Sequence, residues 1–207
     1  MNAEFNIDSI IKDQYNRFFK FKGILVEVGA AHPEILSFSK IFREDGWRCI
    51  SVEPNPYFVK FHKEVGNEIY PYACANYIES NADFQITKSN HPEDSLCTYE
   101  SFSSIKIKQE YINKDGDPGL IENIKVNITT LDSVLEEAKL NQEIDILIID
   151  VEGWELEVMK GFNHTKYNPK VIVLENYLYL ESYNEYMDSI GYKLNGNMFY
   201  NYVYIKK

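Results

Sequence analysis

The chain has 207 residues, with Lys+Arg 21 against Asp+Glu 32 and a formal net charge of -11. Its length and its 44% hydrophobic content suit one domain with a full apolar core and exclude disordered and collagen-like classes. The excess of acids argues against nucleic acid or an anionic membrane surface as a partner, because both are bound by basic faces.

In chain order, residues 1–22 hold an amphipathic helix, with Ile7, Ile10, Ile11, Tyr15, Phe18 and Phe19 at near-helical spacing. Ile24 to Val28 is a short apolar run after Gly23 and reads as a buried strand. Pro33 to Glu44 has a helix pattern, and Arg48 to Glu53 reads as a second strand. Pro56 to Val65 reads as a helix stopped by Gly66, and Glu68 to Ala73 as a third strand. Ala82 to Ile86 alternates as a half-exposed strand. From Thr87 to Asn123 the pattern is that of a long polar insert (87–123), a region for substrate contact or a lid. Ile124 to Ile128 alternates again. Leu131 to Leu140 is a helix capped by Thr130, and Ile144 to Ile149 is a strongly buried strand. Trp154 to Lys160 is a short helix ended by Gly161; Lys170 to Leu174 is another buried strand. Tyr179 to Ile190 is a helix. Tyr192 to Leu194 and Tyr202 to Ile205 form a closing antiparallel pair around Asn195-Gly196. Strand and helix alternate throughout, so the expected fold is α/β with a mostly parallel sheet.

Cys49, Cys74 and Cys97 form no C-x-x-C pair, and they read as reduced thiols of a cytoplasmic protein. His32, His62, His91 and His164 show no i, i+4 pair, so no zinc site is expected. Met1 to Lys20 lacks a sustained apolar run, and no signal peptide is expected. The longest apolar run falls far short of the roughly 18 residues of a membrane span.

Ligands of doubly wound sheets sit at the carboxyl ends of the strands, and most of these ends carry a carboxylate here. The first turn reads Glu27-Val28-Gly29-Ala30-Ala31-His32. Gly29 and the two alanines let a ligand approach the backbone, but the turn is not G-x-G-x-x-G, and Glu34 beyond it would repel a pyrophosphate. A cationic ligand without phosphate fits better, and S-adenosyl-L-methionine is one. Glu27 is a partner for its amino group, Glu53 for its ribose hydroxyls, and Pro54, Asn55, Cys74, Ala75 and Asp150 are further cofactor contacts. His32 is either a cofactor contact or a cap on the following helix. Asp150 and Glu152 leave a central strand two residues apart, facing one way if the chain stays extended. With Glu175 they are the candidates for catalysis, and Asn176 is a candidate acceptor ligand. A dinuclear carboxylate metal site from Asp150, Glu152 and Glu175 is conceivable on hard-cation chemistry, but none is expected. Trp154 reads as core packing rather than as an adenine platform. Tyr99, Ser101 and Phe102 in the insert offer hydroxyl and aromatic contacts for a sugar-like substrate.

The segments VEVGAAHPE (Val26 to Glu34), DGWRCISVEPNP (Asp45 to Pro56) and IDILIIDVEGWELEVMKGF (Ile144 to Phe162) resemble the FkbM family of S-adenosylmethionine-dependent methyltransferases. TTLDSVLEE (Thr129 to Glu137) and KVIVLEN (Lys170 to Asn176) match as well, and YACA (Tyr72 to Ala75) with TYESFSSIKIK (Thr98 to Lys108) resembles one of its subgroups. The resemblance implies a class I methyltransferase (Rossmann-like) three-layer sandwich: a mostly parallel seven-stranded sheet with an antiparallel edge hairpin. It also implies O-methyl transfer to a hydroxyl of a small molecule or glycan, a sugar above all. Two other functions share these residues: a non-catalytic cofactor-binding or scaffold protein of the same fold, and a nicotinamide-dependent sugar oxidoreductase. The missing glycine fingerprint argues against the latter.

Overall fold

Short apolar runs set the architecture of the chain, here a computed structural model that describes Ala3 and residues 6–19, 21–88, 103–115 and 120–207. β1 (Ile24–Val28), β7 (Ile146–Ile149) and β8 (Val171–Glu175) are buried at every position, as strands covered on both faces must be. With β2 (Arg48–Val52), β3 (Glu68–Tyr70), β9 (Tyr192–Met198) and β10 (Asn201–Lys206) they form a seven-stranded sheet in the order β3-β2-β1-β7-β8-β10-β9. Neighbours from β3 to β8 are parallel, whereas β10 runs antiparallel to both β8 and β9.

Strand alternation divides the apolar side chains between two faces. Val26, Val28, Leu147, Ile149, Ile172 and Leu174 pack toward α5 (Leu131–Glu137), α6 (Glu155–Lys160) and α8 (Glu181–Ser189). Leu25, Ile146, Ile148, Val171 and Val173 pack toward α1 (Ile7–Tyr15) and α2 (Lys40–Glu44). Each buried aliphatic contributes on the order of 1.5–3 kcal/mol, which is why these runs dictate the layers. The result is the expected three-layer α/β sandwich with a mostly parallel sheet and an antiparallel hairpin at one edge. The strand order reverses between β1 and β7, the place where such sheets open a crevice. Among the described residues, no helix is long and apolar enough to cross a membrane.

Four expectations are corrected. The helix pattern of Pro33 to Glu44 yields a helix only at Lys40–Glu44, because Leu36 adopts φ 54 and the Phe38 N–H donates to Glu27 Oε1 at 3.1 Å. The run Glu68 to Ala73 splits: Ala73–Cys74 is β4, in a second sheet of order β4-β6-β5. The insert begins and ends as strand. β5 (Glu79–Lys88) and β6 (Leu120–Thr129) form a long antiparallel pair, and α4 (Gln109–Asp115) lies between them in the chain. The closing hairpin turns at Phe199-Tyr200, not at Asn195-Gly196; Asn195 lies inside β9 at a register shift, where its amide donates to the Tyr15 hydroxyl at 2.7 Å. Two further helices are α3 (Pro56–Glu64) and α7 (His164–Tyr167).

Candidate active site

The turn after β1 is fixed by its neighbours. Gly29 has φ 83, and a Cβ there would lie 1.7 Å from the Asp150 carbonyl oxygen, so no other residue fits between β1 and β7. The Gly29 and Ala30 N–H groups both donate to the Val52 carbonyl, at 2.9 and 3.1 Å. Ala31 then takes φ 41, an unusual value for a residue with a Cβ. Two contacts hold it there. Its N–H donates to Glu53 Oε2 at 2.9 Å, and its carbonyl accepts from His62 Nε2 at 3.1 Å. The other Glu53 oxygen accepts the Asn55 N–H at 2.8 Å.

Glu27 lies on β1 just before this turn and is buried. Its Oε1 accepts from Phe38, but Oε2 has no hydrogen-bond partner. Burial pushes its carboxyl above the ordinary range, opposed by Ser39 and by the Arg43 charge.

A second group of carboxylates stands at the ends of β7 and β8. Oxygens of Asp150, Glu155 and Glu175 all lie within 4.8 Å of one another. Glu155 is the most constrained: it accepts the Val151 and Gly153 N–H groups at 3.0 and 2.9 Å and the Tyr183 hydroxyl at 2.5 Å. Glu175 is buried, and its Oε2 has no hydrogen-bond partner. Burial, then the charges of Asp150, Glu152 and Glu155, push the Glu175 carboxyl well above its ordinary value. Glu152 has φ 56, so the chain does not stay extended past Asp150 and the two acids do not project as strand neighbours.

Part of the insert is fastened over this end. Trp154 Nε1 donates to the Lys106 carbonyl at 3.1 Å, and the Lys108 ammonium donates to the Gly153 carbonyl. Lys114 donates to the Tyr177 carbonyl at 2.5 Å and lies over the Tyr177 ring. Tyr111 of α4 is buried, its ring 5.3 Å from that of Tyr177.

These parts enclose a cavity of 460 Å³, within the range of small-molecule sites. Of the sequence candidates, Glu27, Gly29, Ala30, Ala31, Glu53, Pro54, Cys74, Asp150, Glu152 and Glu175 line it. His32, Asn55, Ala75 and Asn176 do not. His32 Nδ1 accepts the Glu34 N–H at 3.1 Å, and Asn55 caps α3 through the Tyr57 N–H. Asn176 uses both ends of its amide on the Leu180 backbone. Ala75 is fully buried. Tyr99, Ser101 and Phe102 lie outside the described residues. Trp154 lines the cavity instead of joining the apolar core. Sequence reasoning missed Phe58, Tyr72, Phe84, Ser104, Tyr177 and Tyr200, which line the cavity from scattered segments. It also missed Glu155, which carried no role in the sequence beyond membership of the helix Trp154 to Lys160.

A family model described as the methyltransferase FkbM domain matches residues 27–194. Searches of curated proteins and of solved structures return no match. The matched span runs from Glu27 through the first turn, both carboxylate groups and α8 into β9, and so takes in most of the cavity wall, though not Tyr200; the chain belongs to the FkbM methyltransferase family.

Proposed function

We propose that this chain is an S-adenosyl-L-methionine-dependent O-methyltransferase acting on a hydroxyl of a small molecule or glycan, with a sugar as the leading acceptor class. The observation that carries the reading is the grouping, around one cavity, of Glu27, Glu53 and the Gly29-Ala30-Ala31 turn with Asp150, Glu152 and Glu175 at the neighbouring strand ends. The residues fit the cofactor. Glu27 keeps a buried oxygen without a partner, suited to an ammonium group. Each Glu53 oxygen accepts one backbone N–H, which fixes the carboxylate at the cavity wall where a ribose hydroxyl would meet it. Pro54, Phe58, Tyr72, Cys74 and Phe84 supply an apolar wall suited to an adenine ring.

When bound, the cofactor would supply a methyl group already activated by its sulfonium. The chain's own work is alignment and proton removal. The carboxylates of Asp150, Glu152 and Glu175 are the groups to accept a hydrogen bond from the acceptor hydroxyl and to take its proton, a contribution of roughly 10²–10⁴-fold. The insert of residues 87–123, with Tyr99, Ser101 and Phe102, is proposed as the acceptor-binding region of a single methyltransferase domain. The protein is proposed to work in the cytoplasm.

Titration calorimetry of the full chain with S-adenosylmethionine and S-adenosylhomocysteine tests the donor. Glu53→Ala is expected to weaken binding by about tenfold or more, since it removes charge-assisted bonds. Asp150→Ala is expected to weaken it less. No binding by a folded sample sinks the donor; loss in Asp150→Ala with retention in Glu53→Ala overturns the division of the cavity. Turnover on hydroxylated sugars separates the enzyme from a binding protein of the same fold.

A further inference from the structure

The carboxylate group of Asp150, Glu155 and Glu175 is more than a source of a general base. The geometry points to a divalent-cation site of the hard, oxygen-preferring kind, Mg²⁺ or Mn²⁺, formed by these three side chains at the carboxyl ends of β7 and β8. Its role in holding an acceptor hydroxyl rests on the proposed methyl transfer; its existence does not.

Three observations carry this. First, one oxygen from each residue lies within 4.8 Å of the other two. Ligands at the 2.0–2.1 Å of Mg²⁺ stand about 3 to 4 Å apart around an octahedron, so small side-chain adjustments bring all three onto one ion. Second, Glu175 is only 6% exposed, yet its Oε2 has no hydrogen-bond partner. A buried carboxylate oxygen left in that state costs free energy unless a cation or a proton meets it. Third, Glu155 is held in place by groups outside the trio: the Val151 and Gly153 N–H groups and the Tyr183 hydroxyl. Such outer hydrogen bonds orient first-sphere ligands in metal sites. The trio also borders the cavity through Asp150 and Glu175, so an ion there would have coordination positions open to an acceptor oxygen and water. Coordination to a divalent cation lowers the pKa of a bound oxygen acid, which is the help a sugar hydroxyl needs.

The competing arrangement is a proton shared among the three acids. The two are separated by titrating Mn²⁺ alone into the full chain after chelation and desalting, with free Mn²⁺ followed by its electron paramagnetic resonance signal. One site per chain is expected. Glu175→Gln and Asp150→Asn, which keep shape and remove charge, should each weaken it by about 10- to 100-fold. Glu64→Gln, at an exposed acid 3.7 Å from Lys60, should leave it unchanged. A wild-type chain that binds Mn²⁺ no better than Glu175→Gln does, or a site that survives in either trio variant, overturns the inference. So does a site lost equally in Glu64→Gln. Melting of the metal-free proteins guards against misfolding: removing one of three crowded charges should leave Glu175→Gln at least as stable as wild type, and a lower melting point together with lost binding counts against the site. S-adenosylhomocysteine titrated into the same samples keeps the two readings apart. Cofactor binding without Mn²⁺ binding sinks the cation alone, and Mn²⁺ binding without cofactor binding sinks the donor alone.

Discussion

His62 shows how a residue can shape the site from outside the cavity wall. It is fully buried in α3, and Nε2 meets the Ala31 carbonyl while Nδ1 meets the Asn67 amide at 3.1 Å. Donation at Nε2 and acceptance at Nδ1 describe a neutral imidazole. Burial pushes its pKa down to about 4. The carbonyl it holds belongs to the one residue of the first turn that has a Cβ and a positive φ. His62→Ala should therefore cost about 2–4 kcal/mol, from the cavity and the lost bonds, and it should also loosen the turn. Urea denaturation together with S-adenosylhomocysteine titration checks both; a stability loss with unchanged cofactor affinity would show that Ala31 holds its own shape. Nothing in the sequence marks this role, since the partner is a backbone carbonyl 31 residues away. Glu53 is the opposite case. An acid at the end of an apolar strand was readable, because strand-end position alone puts it at the crevice. Its use of both oxygens on backbone N–H groups was not, because that depends on how Ala31 and Asn55 fold back.

At the scale of elements, patterns were readable where burial was two-sided and unreliable where one contact competed with local preference. Ile144 to Ile149 and Lys170 to Leu174 named their strands through apolar runs, Ile146 to Ile149 and Val171 to Leu174. Ile35, Leu36, Phe38, Ile41 and Phe42 fitted a helix, yet the buried Glu27 carboxylate draws in the Phe38 N–H and breaks that helix before Lys40. Asn195-Gly196 is a strong turn signal, but turning at Phe199-Tyr200 pairs Asn201 with Glu175 and puts Val203 and Tyr204 in the core. Ala82 to Ile86 and Ile124 to Ile128 alternate and marked the middles of β5 and β6, but Glu79-Ser80-Asn81 and Leu120-Ile121-Glu122-Asn123 do not alternate, so the full length of the pair was not readable. α4 is the element with the clearest consequence. Gly153 has φ 90, and a Cβ there would come within 2.9 Å of the Tyr111 ring. Gly153→Ala should cost about 1–3 kcal/mol through backbone strain and this clash, and it should lift α4 from the cleft. Limited proteolysis should then cut between 103 and 115 faster than in wild type, with cofactor affinity nearly unchanged. Equal cleavage rates would mean that α4 is not fastened through Gly153.

For the whole molecule, net charge hides the distribution that matters. Just over half of the acids among the described residues are exposed. Glu27, Glu155 and Glu175 are different: burial raises all three carboxyls above their ordinary values. A raised folded pKa contributes stability that is complete below the unfolded value near 4.5 and is lost as pH climbs through the folded one. His62 acts in reverse. With its pKa lowered from 6.5 to about 4, its neutral form is favoured by folding, and up to about 3 kcal/mol is lost as pH falls from 6.5 toward 4. Between those values the two effects oppose each other. The unfolded imidazole of His62 gives up its last protons by about pH 7.5, and the remaining slope toward alkali comes mainly from carboxyls still protonated in the fold, at most about 1.4 kcal/mol per pH unit for each proton. The chelated protein should accordingly melt at a lower temperature at pH 8 than at pH 6.5. Glu175→Gln should flatten that slope, because Glu175 has the most strongly raised carboxyl of the three. Saturating Mn²⁺ should flatten it as well, by holding the trio ionised without repulsion. A melting temperature that is level or rises from pH 6.5 to 8 in chelated wild type would mean that these acids ionise in the fold at little cost, and that water reaches the cavity floor where the buried oxygens lie.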